Sequence, residues 1–310
     1  MDARLLIWGI GEFYAKICNV LKLNEAIGNF RIEAFVSKDY ERKIYDGKIV
    51  IRPEEIMEKY GGGVEYIVIA TEQHYQEILR YGVEDLNIPR EIFLKGSIFT
   101  IPYFDWKRYI KIYKGKISIV AECCYGGILS HCLGLPFYSP FVNLRVNDRD
   151  SYTEMICNLN YYMSVSPTTK NIGRYKDKDW TSIEGRVKYP ILWYGDIMLH
   201  GFHYRSEEDF YKKWEERRKR YHSESTVVFK ILYDEKDIEE FEALNLQNKV
   251  GVYYENTKWE NIITIPVRNV SVYDYAYQYG SYVTQTFITG TVFRYIDIFK
   301  ALLGEEDFKK

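Results

Sequence analysis

Net charge is nearly absent from this chain: 42 Lys and Arg against 44 Asp and Glu leave −2 over 310 residues. That balance gives no electrostatic case for a nucleic-acid partner. Cysteine is scarce and odd in number, at Cys18, Cys123, Cys124, Cys132 and Cys157. It lacks the dense framework of small secreted domains and reads as reduced thiols in a cytoplasmic protein. No internal repeat and no low-complexity tract is present, and 46% hydrophobic with 28% charged residues excludes disordered, collagen-like and coiled-coil chains. After Met1-Asp2-Ala3-Arg4 the apolar run Leu5 to Ile10 meets glycines rather than a small-residue cleavage site, so no signal peptide is expected.

Long hydrophobic runs are lacking too, with one stretch to test. From Cys123 to Leu144 there are 22 residues without a formal charge, long enough to span a bilayer. Gly126, Gly127, Gly134, Pro136 and Pro140 interrupt it, and a broken helix facing lipid leaves backbone groups unpaired. A buried, irregular segment lining a cavity is expected, with no transmembrane segment.

Aromatic residues are abundant: 30 Tyr, 16 Phe and 6 Trp make 17% of the chain. Such rings fill cores and, as Tyr, carry a polar tip, so ring-lined clefts are expected as well. They crowd the second half, as in Tyr273, Tyr275, Tyr277, Tyr279 and Tyr282.

The length suits two domains. In the first hundred residues strands and helices alternate. Strands are read at Arg4 to Trp8, Arg31 to Val36, Lys48 to Ile51, Glu65 to Ala70 and Glu91 to Leu94, and a helix opens at Pro53-Glu54-Glu55. Apolar strands separated by helices argue a parallel sheet covered on both faces. A connecting helix over 100–115 leads to a second α/β unit beginning at Lys116. There a glycine turn is expected at Gly126-Gly127 and helices at 152–163, 207–222 and 292–303. Strands are expected at 189–194, 197–204, 226–233, 249–254 and 261–265. The expected class is thus α/β with two domains, residues 1–115 as a Rossmann-like parallel sheet and 116–310 as a mixed α/β sheet.

Four constellations carry candidate chemistry. Gly9-Ile10-Gly11-Glu12 lies between a strand and a helix, where paired glycines bring helix N-terminal N–H groups against a phosphate. Tyr14 stands where a third glycine would come. Glu33 or Asp39 is placed to bind a ribose, and Thr71 caps the helix after the fourth strand. The alternative is a plain strand-to-helix turn without a ligand. Cys124, at a strand end beside Gly126-Gly127, is a candidate nucleophile if a helix N-terminus or a histidine lowers its pKa, or else a small buried hydrophobe. No metal site is expected from Cys123, Cys124, Cys132 and His131, because adjacent cysteines lack a second paired ligand set. Asp196 and His200 share one face of a strand and His203 the other, which makes these three candidates for acid/base work or structural residues. Ser206 with Asp209 starts a helix, whose Arg217 and neighbouring basic residues form either a phosphate clamp or a solvated face. Asp148-Arg149-Asp150 resembles a metal-binding acid pair of nucleotide-sugar transferases, helix capping being the simpler reading.

One resemblance adds to these. Cys124-Tyr125-Gly126-Gly127, Leu133 to Pro140, Asn143-Leu144, Tyr189-Pro190, Gly195-Asp196-Ile197, His203-Tyr204 and Lys213 to Arg217 together resemble a bacterial family of unknown-function domains, often labelled exopolysaccharide or capsule biosynthesis proteins. The blocks span residues 117–240. Glu122-Cys123 departs from that family's pattern, which has asparagines there. The N-terminal half resembles the nucleotide-binding-like domain that precedes sugar acyltransferases, although the hexapeptide repeats of those enzymes are absent. The resemblance implies a protein of cell-surface polysaccharide biosynthesis, and with the glycine turn and the arginine-rich helix the expectation is one that binds a nucleotide, NAD-like ligand or nucleotide-sugar and acts as a transferase. Gly9, Gly11, Glu12, Thr71 and Arg217 would serve the ligand, and Cys124, Asp196, His200 and His203 the chemistry, with a second copy of the chain as a further partner. The alternative is a non-catalytic protein that docks a partner on an exposed 123–144 segment.

Overall fold

The computed structural model describes residues 3–39, 43–169, 189–266 and 275–310, with the backbone only at 275–278. The chain is mixed α/β and divides into two compact units, Met1–Ile110 with Cys132–Gly134, and Lys111–His131 with Leu135–Lys310.

The first unit opens with β1 (Ala3–Trp8), α1 (Glu12–Ala26) and β2 (Phe30–Val36). A hairpin of β3 (Ile44–Tyr45) and β4 (Lys48–Ile51) follows, then α2 (Ile56–Tyr60), β5 (Tyr66–Ile69), α3 (Tyr75–Arg80) and β6 (Phe93–Lys95). The six-stranded sheet has the order β3-β4-β2-β1-β5-β6. All pairs are parallel except β3 with β4. Leu5, Leu6 and Ile7 of β1 and Ile67, Val68 and Ile69 of β5 are all fully buried, because a parallel sheet with helices on both faces has no wet side. The hairpin turns at Asp46-Gly47, both with positive φ, 47° and 77°, the conformation that asparagine, aspartate and glycine tolerate. From β1 the chain winds outward through β2 to β4 and then returns to the other side of β1, so strand order reverses between β1 and β5.

Helix α4 (Trp106–Lys114) is the expected connecting helix. The second unit continues with β7 (Ser118–Ala121), α5 (Tyr125–Cys132), β8 (Arg145–Val146), α6 (Arg149–Cys157), α7 (Leu159–Ser164) and β9 (Thr168–Thr169). Next come β10 (Ile191–Tyr194), β11 (Ile197–His200), α8 (Glu207–Arg218), β12 (Thr226–Ile231), α9 (Glu235–Ala243), β13 (Lys249–Tyr253) and β14 (Ile262–Thr264). Helices α10 (Tyr275–Ile288) and α11 (Ile298–Leu302) close the chain. One sheet is parallel, in the order β14-β13-β12-β7, and the other antiparallel, β8-β11-β10-β9. A core of Phe141, Tyr152, Phe210, Trp214 and Val228 lies in this unit. Truncating a ring such as the fully buried Trp214 costs about 3–5 kcal/mol.

Several expectations need correction. Gly126 and Gly127 form no turn; they lie inside α5, where a Cβ would come 2.9 Å from the Ala121 Cβ and 2.8 Å from Val142 Cγ1. They are glycines because the helix lies hard against its neighbours. The final helix is broken: a short 3-10 turn at Thr291–Arg294 precedes α11, whose start at Asp297 accepts from the Lys300 N–H. Of the 22 residues of the charge-free segment only His131 and Pro136 are exposed, so that segment is packed rather than presented as a docking surface. No described helix is long and apolar enough to cross a membrane. Of the tyrosine run, Tyr273 and the side chains of Tyr275 and Tyr277 lie outside the described residues, while Tyr279 is fully buried.

Candidate functional site

A cleft of about 670 Å³ opens in the first unit at the carboxyl ends of β1, β2 and β5. Open parallel sheets bind ligands at that edge, where strand order reverses. Gly9 and Gly11 line it. Gly9 has φ +114°, and a Cβ there would stand 3.1 Å from the Ala70 carbonyl oxygen, so only glycine makes this turn without strain. Gly11 is different: a Cβ would meet nothing within 4 Å, and the peptide is exposed to the cleft. Gly11 is also the N-cap of α1, with no side-chain cap among the described residues, so the first N–H groups of a 15-residue helix lie beside the opening without one.

Tyr14 explains the missing third glycine. Its ring is buried against Phe35 and Tyr45, and its hydroxyl donates to Asp46 at 2.7 Å, tying α1 to the β3–β4 hairpin. Lys16, Lys38, Asp39, Glu12, Glu72 and Glu77 stand around the rim. Lys38 Nζ lies 3.9 Å from the Tyr81 ring centre, and the Tyr81 hydroxyl donates to Glu54 at 2.5 Å. Of the two ribose candidates Asp39 lines the cleft. Glu33 instead pairs with Arg31 at 2.7 Å and Arg4 at 2.9 Å, which hold its carboxyl below the ordinary range. Thr71 lines the cleft, but α3 starts only at Tyr75, and the Thr71 hydroxyl accepts from the His74 N–H within the intervening turn.

In the second unit Glu122, Cys123 and Cys124 follow directly after β7. Glu122 is 7% exposed and its carboxylate accepts the Ile231 N–H. Burial raises this carboxyl from 4.5 to about 7, against the pull of Lys230 and Arg145. The Arg145 charge also acts on Cys123, Cys124 and His200. Burial pushes the Cys124 thiol up to about 11, away from the thiolate a nucleophile requires. Burial lowers His200 to about 4, so it is neutral at ordinary pH; its ring stacks on Phe202 and its Nδ1 lies 3.3 Å from the Tyr189 hydroxyl.

A family model described as domain of unknown function (DUF1919) matches residues 96–290, more than half of the chain. The chain belongs to the DUF1919 family. A second model, described as C2185-like, N-terminal, matches residues 1–92, which include the glycine turn of the cleft. A Haemophilus influenzae protein described as an uncharacterized protein is 27% identical over 143 residues, 45% of this chain and 63% of the relative. The match thus spans less than two thirds of that relative's length.

Within the DUF1919 segment the sequence candidates separate. His200 pairs with Arg145 across β11 and β8 and the Cys124 Sγ lies 3.9 Å from the Leu144 carbonyl oxygen, whereas Asp196 and His203 are exposed in turns that flank β11. Asp196 lies at the far end of that strand from His200, about 13 Å away at 3.3 Å per residue. Arg217 is no open clamp: it is 9% exposed, donates to the Tyr204 hydroxyl at 2.6 Å and stacks 5.0 Å over Phe137. Asp148 caps α6, accepting from the Ser151 N–H at 2.8 Å, and Arg149 pairs with Asp237 at 3.1 Å. Glu122 and Lys230, unmarked as site residues in the sequence, are both buried in this unit, at 7% and 2% exposed. The signal for them was present, since each is a charged residue inside or at the end of an otherwise apolar strand.

Proposed function

We propose that the first unit, a Rossmann-like domain, binds the diphosphate of a nucleotide-sugar or related nucleotide, and that the protein is a transferase of cell-surface polysaccharide biosynthesis. The observation that carries this reading is the cleft at the strand-order reversal, with the uncapped start of α1 on its floor and Gly9 and Gly11 bringing backbone within reach of a phosphate. Lys16 and Lys38 would supply positive charge, and Asp39 a carboxylate for ribose hydroxyls. The rim carries more acids than bases, which favours a hydroxyl-rich ligand such as a nucleotide-sugar over a bare triphosphate.

The test is a thermal-shift panel of NAD and UDP-, GDP- and CMP-sugars at millimolar concentration. A ligand at a hundred times its Kd stabilises the folded chain by about 2.7 kcal/mol. A shift with one of these ligands, lost in Gly11→Ala, is the expected result; no shift with any of them would remove the reading.

A further inference from the structure

A second cavity, of about 390 Å³, opens in the second unit among α6, α7, the start of β12 and the loop before β13. It lies at the amino end of the parallel sheet, opposite the edge that carries Glu122. Its lining is unusual in composition. At the chain's 28% charged share fourteen lining residues would include about four charges, yet none of the fourteen is Asp, Glu, Lys or Arg. Carboxamides and hydroxyls take their place.

Asn160, Asn245 and Gln247 are exposed, and their amides make no hydrogen bond or ion pair among the described residues. Each offers two donors and an acceptor to an incoming group. Thr226 adds a hydroxyl, itself bonded to the His222 carbonyl at 2.8 Å. Tyr161 is 59% exposed, and its ring is fixed edge-on against Tyr162 at 5.2 Å and 78°, which leaves a ring face free.

We propose that this cavity is a binding site for a neutral pyranose unit of a glycan, held by the Tyr161 face and by the amides of Asn160, Asn245 and Gln247. The chemistry converges on that class. A pyranose has an apolar C–H face that an aromatic ring covers, and a rim of hydroxyls that both donate and accept, as carboxamides do. A phosphorylated or uronic-acid unit would bury its charge here without a countercharge. The site stands whether or not the cleft of the first unit takes a nucleotide, since it lies in the other unit and shares no residue with it.

The test is saturation-transfer NMR on the full chain with the methyl glycosides of glucose, galactose, mannose and N-acetylglucosamine, each at millimolar concentration, and methyl glucuronide as the charged control. At least one neutral glycoside is expected to show transfer strongest at the protons of its C–H face. Tyr161→Ala should weaken that binding roughly tenfold with unchanged melting, as loss of one ring contact implies. Tyr161→Phe should retain it and Asn245→Ala should weaken it. Transfer to none of the neutral glycosides, transfer that survives both Tyr161→Ala and Asn245→Ala, or equal binding of the glucuronide would overturn the assignment.

Discussion

Glu122→Gln removes one titrating proton from the interior of the second unit and leaves the side chain's shape. In the folded chain burial raises this carboxyl from 4.5 to about 7. The folded state therefore binds the proton more tightly than the unfolded state does. Its stabilising effect is fully present below about pH 4.5, is lost as pH rises through about 7, and is constant above that. The gap between the two values is worth roughly 3 kcal/mol. Glutamine still accepts the Ile231 N–H through its amide oxygen but has no proton to lose. The stability difference between Glu122→Gln and the parent should thus move by roughly 3 kcal/mol in favour of glutamine between about pH 4 and about pH 8. Urea titrations followed by tryptophan fluorescence at both pH values measure it, and subtracting parent from variant cancels the other titrating groups. A difference constant to within about 0.5 kcal/mol would refute the argument. A shift in the opposite direction would show Glu122 ionised and stabilised by Lys230 and Arg145.

Gly9→Ala forces a side chain into a positive-φ turn against the Ala70 carbonyl and should cost about 1–3 kcal/mol in a denaturant melt. Gly11→Ala has open space and should melt like the parent. Asp148→Ala removes the side-chain cap of α6 and should lower stability by about 1 kcal/mol in urea titrations; Asp148→Asn should recover most of it. Cys124, with roughly one thiol in ten thousand ionised at pH 7, should react with a disulfide reagent far more slowly than the exposed Cys157, measured by mass spectrometry of single-cysteine variants.

The first unit's sheet was legible because β1 and β5 carry unbroken apolar runs, Leu5 to Trp8 and Tyr66 to Ile69, and β2 alternates Ile32, Ala34 and Val36 with Arg31 and Glu33, bounded by Gly9, Ser37 and Gly61 to Gly63. The β3–β4 hairpin escaped notice although Asp46-Gly47 is a strong turn signal, because two-residue β3 is too short to show a period. In the second unit α9 and α10 were missed. The tyrosines from Tyr275 to Tyr282 alternate like a strand, yet they lie in a helix whose Tyr279 and Phe287 are buried. Burial of that face against Tyr125, which stacks on Phe287 at 4.9 Å, decided the element over the local pattern.

Residue type alone placed a candidate nucleophile at Cys124 and candidate acid/base residues at Asp196, His200 and His203, but their chemistry depends on depth. His200 and His203 are three residues apart, yet one is 4% exposed with its charge suppressed and the other lies in solvent. The same depth that silences Cys124 as a thiolate brings Glu122 to neutrality. Both effects have one cause, removal from water disfavouring the charged form. For a thiol that starts above neutral pH this removes reactivity; for a carboxyl that starts below it, the same displacement brings proton transfer into range. An acid at the end of a buried parallel strand is therefore a stronger sequence signal of chemistry than a cysteine two residues further on, because burial moves the first toward function and the second away from it.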